Sequence, residues 1–117
     1  MSAVADTNLD EFLRDFIAEA REHLGQAESC LLRLHDHPDD EASIHACFRS
    51  LHTIKGGAGF LGQGRIQALA HAAEHLLDRM RTGGIRCGTE HVDVMLNVVS
   101  RLEVILNAVE QNHAGAA

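Results

Sequence analysis

Apolar residues recur along this chain every three or four positions, and no stretch alternates in the two-residue period of a strand. Leu9, Phe12, Phe16, Ala20, Leu24, Ala27, Leu31 and Leu34 form the first series, and side chains at that spacing share one face of an α-helix. The pattern predicts a helix over about 9–35. Asn8 is placed to cap it, and Asp10 and Glu11 suit its first turn, where the helix dipole favours acids. Gly25 is disfavoured there by about 1 kcal/mol relative to alanine. The apolar series passes through it in register, so one helix is expected. Residues 35–40, with the only proline, Pro38, read as a connection.

A second helix is expected over about 40–61, with Ile44, Phe48, Leu51, Ile54 or Lys55, Ala58 and Leu61 on its inner side. A third, over about 64–82, carries Ile66, Leu69, Ala73, Leu76, Leu77 and Met80. A fourth, over about 89–112 and capped by Thr89, carries Val92, Met95, Val99, Leu102, Leu106 and Val109. Gly62-Gln63-Gly64 and Gly83-Gly84 are the breaks, and Arg79 and Arg81 suit the dipole of the third helix's last turn. Residues 113–117 are small and polar and are expected to fray. Four helices with short connections predict an all-α fold, an antiparallel four-helix up-down bundle. Val94, Val98 and Ile105 lie off the main stripe of the fourth helix. They read either as a wide core face or as a strip for a further helix or partner.

Composition narrows the partners. At 117 residues the chain is a single domain, large enough to bury an ordinary core. The net charge of −7 argues against nucleic acid, because no basic stripe exists to replace phosphate counterions. Cys30, Cys47 and Cys87 are scattered and odd in number, which fits a reduced, cytoplasmic protein better than a disulfide scaffold or zinc site. Residues 1–10 show no signal-peptide pattern, and no apolar run is long enough to insert in a membrane.

The chemistry concentrates in His52-Thr53-Ile54-Lys55-Gly56-Gly57-Ala58-Gly59. His52, Lys55 and Gly56 are three and four apart, so an imidazole, a fixed positive charge and a patch without a side chain share one helix face. Three glycines within four helical positions are costly. Close approach of a partner at Gly56, Gly57 and Gly59 is one reason for them, and simple helix termination is the other. A reactive imidazole needs one nitrogen free and the other held by a hydrogen bond that fixes the tautomer. His52 lies about ten residues before the Gly62–Gly64 turn and Glu74 about ten after it. Antiparallel pairing therefore sets Glu74 beside His52, with His71 and His75 on the same face of the third helix.

These residues carry a resemblance. The stretch from Phe48 through His52-Thr53-Ile54-Lys55-Gly56-Gly57-Ala58-Gly59 to Gly62, followed by Leu69-Ala70-His71-Ala72-Ala73-Glu74-His75-Leu76-Leu77-Asp78 and Arg81-Thr82-Gly83, resembles the histidine phosphotransfer (HPt) domain. The form is that found at the N-terminus of CheA-type chemotaxis histidine kinases. The first helix, with Phe12, Phe16 and Glu19, also resembles the family's opening pattern. The resemblance covers roughly residues 9–110. It implies that His52 is the phosphorylated residue, that Lys55 assists the phosphoryl group, that Glu74 orients the imidazole, and that His71 is an auxiliary histidine. Gly56 and Gly57 match the docking glycines. It further implies a donor, a histidine kinase catalytic domain carrying ATP and Mg2+, and acceptors, CheY-like and CheB-like receiver domains that also hold Mg2+. The domain itself would bind no cofactor and be monomeric. The chain would be the N-terminal part of a longer histidine kinase. Where family members often carry a large apolar residue after the last glycine of the motif, this chain has Gln63-Gly64.

Other readings compete. Gly57-Ala58-Gly59-Phe60-Leu61-Gly62 satisfies the dinucleotide pattern, but that fingerprint works only between a strand and a helix. No P-loop is present either, so the chain reads as a phosphoacceptor with no ATP site of its own. His71-Ala72-Ala73-Glu74-His75 satisfies an inverted zinc-protease motif, yet a bundle of this length offers no peptide cleft. A metal-binding bundle and a purely structural bundle remain as alternatives from other functional classes.

Overall fold

The computed structural model describes the backbone of residues 3–116 and the side chains of residues 10–112. Four helices follow one another: α1 (Ala3–Asp36), α2 (Glu41–Phe60), α3 (Gly64–Arg81) and α4 (Thr89–Ala116). Each packs against two neighbours in a ring, α1 on α2, α2 on α3, α3 on α4 and α4 on α1. The expected four-helix up-down bundle is the fold.

Packing follows a seven-residue repeat more strictly than the sequence reading assumed. Among the described residues of α1 the buried apolar positions are Leu13, Phe16, Ile17, Ala20, Leu24, Ala27, Leu31 and Leu34. Phe12, expected inside, is 57% exposed. Successive steps of four drift round a helix, whereas alternating threes and fours hold one face. Leu13 and Ile17 keep that alternation and Phe12 does not. Leu9, also expected inside, has a side chain outside the described residues. On α2 the buried series is Ile44, Cys47, Leu51, Ile54 and Ala58, so Ile54 and not Lys55 faces the core. On α4, Ile105 is buried and Val98 half-buried, while Val94 and Val104 are exposed. The wide-core reading therefore holds for Ile105 and stops at Val94.

Helix ends follow local chemistry. Asp40 caps α2, with its carboxylate accepting from the Ser43 N–H and hydroxyl. α2 closes through Gly62 at φ +69°, where the Gln63 N–H returns to the Ala58 carbonyl at 2.8 Å. Only glycine takes that backbone without strain. Gly83, at φ +83°, ends α3 in the same way. Two expected starts need correction. α1 begins at Ala3, so Asn8 lies inside the helix and is not its cap. α4 begins at Thr89, one residue too early for Thr89 to cap it, so the cap position falls on Gly88. The Gly88 carbonyl accepts from His91 and Val92, and His91 Nδ1 in turn accepts from the Gly88 N–H at 2.9 Å. α4 also runs to Ala116, through the tail expected to fray.

All three cysteines are free thiols. Burial pushes the Cys47 thiol up to about 12.

Candidate functional site

The site lies where α2 faces α3. On α2, Leu51 and Ile54 are sealed in the core. His52 and Lys55, each next in sequence to one of them, emerge at its edge toward α3. On α3, Ala73 and Leu77 are buried, and Glu74 between them is carried to the same edge.

The three side chains meet. His52 Nδ1 donates to Glu74 Oε1 at 2.9 Å, and Lys55 Nζ pairs with Glu74 Oε2 at 2.8 Å. Both carboxylate oxygens are thus engaged from α2. The Glu74 side chain is only 11% exposed, whereas His52 is 60% exposed. Burial pushes the Glu74 carboxyl upward. Hydrogen bonds from Lys55 and His52, with the positive charge of Lys55, outweigh it, and the carboxyl titrates below its ordinary range. An ionised carboxylate can only accept, so the imidazole proton sits on Nδ1 and the lone pair on Nε2. The geometry presents one basic nitrogen to solvent beside a fixed ammonium.

His71 is exposed and makes no hydrogen bond to His52 or Glu74 among the described residues. It lines an open cavity of about 270 Å³ with Phe48, Glu74, His75, Asp78 and Arg81. Among the described residues no three His, Cys, Asp or Glu side chains converge as metal ligands. The glycines divide. A Cβ on Gly56 would meet nothing within 4 Å, one on Gly57 would lie 2.8 Å from Phe16 Cδ1, and one on Gly59 would lie 2.6 Å from Gln67 Nε2. Packing against the buried Phe16 ring thus gives Gly57 a reason besides docking, whereas the Gln67 amide at Gly59 is the free end of an exposed, flexible side chain that can move aside. Gly56 alone lies open to solvent on the side of His52.

Sequence reasoning passed over two neighbours. The Phe48 ring stacks beside His52, with centroids 5.9 Å apart and planes 12° from parallel. The Arg81 guanidinium lies over the Phe48 ring at 4.4 Å. The four-residue spacing of Phe48 and His52 was a usable signal. Arg81 required the path of α3.

The chain belongs to the Hpt domain family, whose family model matches residues 11–112. Within that family it is similar to the phosphotransfer domains of chemotaxis kinases. Chemotaxis protein CheA of Halobacterium salinarum is 32% identical over 102 residues, which are 87% of this chain and 15% of that protein. The chain therefore spans a small part of that relative's length. The CheA phosphotransferase domain from Thermotoga maritima superposes with a TM-score of 0.82 at 31% identity, over 86% of this chain and 95% of that one. The phosphorylated P1 domain of CheA3 in complex with CheY6 from R. sphaeroides superposes with a TM-score of 0.80 at 29% identity, over 92% and 82%.

Proposed function

We propose that this chain is the phosphoryl carrier of a CheA-type chemotaxis histidine kinase, with His52 as its phosphorylated residue. The observation that carries the reading is the Nδ1 hydrogen bond to a buried, ionised Glu74, which leaves Nε2 of an exposed imidazole as the nucleophile.

The donor is ATP held with Mg2+ on a kinase catalytic domain. The Nε2 lone pair attacks the γ-phosphorus, and the bond to the β–γ bridging oxygen breaks, its electron pair leaving with ADP. The Nδ1 proton stays on the ring, where Glu74 stabilises the positive charge that develops. Lys55 is the cation for the phosphoryl oxygens, and positioning and electrostatics carry most of the catalysis. The acceptor is an aspartate of a CheY-like or CheB-like receiver, whose Mg2+ stays in the receiver. A carboxylate oxygen attacks the same phosphorus, the P–N bond breaks, and its pair returns to Nε2. His71 serves as an auxiliary group and Gly56 as the open contact for the incoming domain. The solved complex of a related P1 domain with CheY6 supports the receiver as partner. The small share of a relative's length that the chain spans supports its being one domain of a longer kinase. That no described helix is long and apolar enough to cross a membrane and that the thiols are free support a cytoplasmic setting.

The test is incubation with a CheA-type catalytic domain and γ-labelled ATP, followed by a CheY-type receiver. Acid-labile, alkali-stable label should appear on the chain and move to the receiver, and His52→Gln should carry none. Label surviving in His52→Gln would refute the assignment.

A further inference from the structure

Glu74 holds His52 at one atom only. A single hydrogen bond to Nδ1 leaves the ring free to swing about that contact, and a side chain 60% exposed gains little restraint from its surroundings. We infer that Phe48 and Arg81 supply the missing restraint, as positioning residues that set the plane of the His52 imidazole and so the direction of Nε2. The inference rests on the reading of His52 as the phosphoryl carrier.

Phe48 stands one turn before His52 on α2. A near-parallel pair at 5.9 Å falls in the range of offset stacking, 4.5–7 Å between centroids. His45 continues the row on the other side in sequence, 6.5 Å from Phe48 with planes at 14°. Phe48 is itself only half-buried, and the space beside it is the open cavity shared with His71 and His75. What holds the ring is Arg81, the last residue of α3, whose guanidinium carbon lies 4.4 Å from the ring centroid. That is cation–π distance. Arg81 is fixed in turn by Asp78, one turn earlier on α3, through an Nη2–Oδ1 bond of 2.6 Å. Two separate supports therefore run from α3 to His52. One, Glu74, fixes an atom. The other, Asp78 to Arg81 to Phe48, fixes a plane.

The test measures phosphorylation of His52 by two donors, phosphoramidate and a CheA-type catalytic domain with ATP. A positioning role slows both donors, because both need Nε2 correctly aimed. A role in docking slows only the kinase. Phe48→Leu keeps apolar volume without the ring and should slow both donors roughly threefold to tenfold, the size of an aromatic pair's contribution. Phe48→Tyr restores the ring and should restore the rate. Arg81→Gln, at an exposed residue whose loss does not threaten the fold, should slow both about twofold to fivefold and add nothing in the Phe48→Leu background. The His52 imidazole signals in NMR should broaden in Phe48→Leu while the helical spectrum stays unchanged. Wild-type rates in Phe48→Leu would overturn the inference. So would an Arg81→Gln effect confined to the kinase, or one that multiplies with Phe48→Leu. The control separates two failures. Label persisting in His52→Gln overturns the carrier reading. Label lost there while Phe48→Leu reacts at the wild-type rate overturns only this inference.

Discussion

Glu74 is the one charged residue among the buried side chains described, and α2 engages both of its oxygens. Its folded-state ionisation lies below the ordinary carboxylate range because two donors oppose the burial. The consequence for stability has a definite sign. A carboxylate depressed in the folded state contributes fully above its unfolded value, and loses that contribution as pH falls through the folded one. Wild type should therefore melt higher than Glu74→Gln at neutral pH, and the gap should close as pH drops below the ordinary glutamate range. Melting temperatures across that series check it, and a gap that is constant or widens in acid contradicts the ion-pair account. Glu74→Ala should also slow phosphorylation by roughly tenfold to a hundredfold, the weight of a hydrogen bond to a charged group. Glu74 was legible in the sequence because counting outward from the Gly62–Gly64 turn pairs it with His52. Arg81 was not, because contact over a ring depends on side-chain conformation at the far end of α3, which no spacing rule reports.

At the scale of the helix, the glycines of α2 separate two kinds of constraint that look alike in sequence. Alanine at Gly57 would force its Cβ to within 2.8 Å of the Phe16 ring. It should destabilise the α1–α2 contact by about 1–3 kcal/mol, as overpacking does. Alanine at Gly56 meets open solvent and should stabilise the helix by up to about 1 kcal/mol. On the functional account it should still weaken transfer to a receiver. Thermal unfolding and receiver titration of the two variants test both halves, and a destabilised Gly56→Ala would contradict the open geometry. Helix number, order and breaks were readable because apolar period and glycine pairs are local signals. Helix starts were less so. Asn8 and Thr89 are good caps by residue type, but α1 extends past the first, and Gly88 with His91 closes the N-terminus of α4 instead.

At the scale of the molecule, the seven-residue repeat closes four helices into a ring whose centre holds Cys47, Leu51, Leu77 and Leu102 without solvent contact. A thiol in that setting is protonated and shielded. Cys47, pushed up to about 12 by burial, should resist a thiol reagent in the native state and react only at the rate of unfolding, while the half-buried Cys30 and Cys87 react sooner. Rapid labelling of Cys47 in the folded protein would show the core to be looser than described. The bundle thus holds one exposed edge, and on the proposed function donor and acceptor chemistry both belong to other domains.

The claim on which the rest depends is that Glu74 fixes the His52 tautomer and leaves Nε2 to react. Nitrogen-15 and phosphorus-31 NMR of the chain, phosphorylated by a CheA-type catalytic domain, tests it at the atom. The account predicts a single phosphoryl group on Nε2 of His52, with Nδ1 still protonated. A phosphoryl group on Nδ1, or on another of the nine histidines, would contradict it.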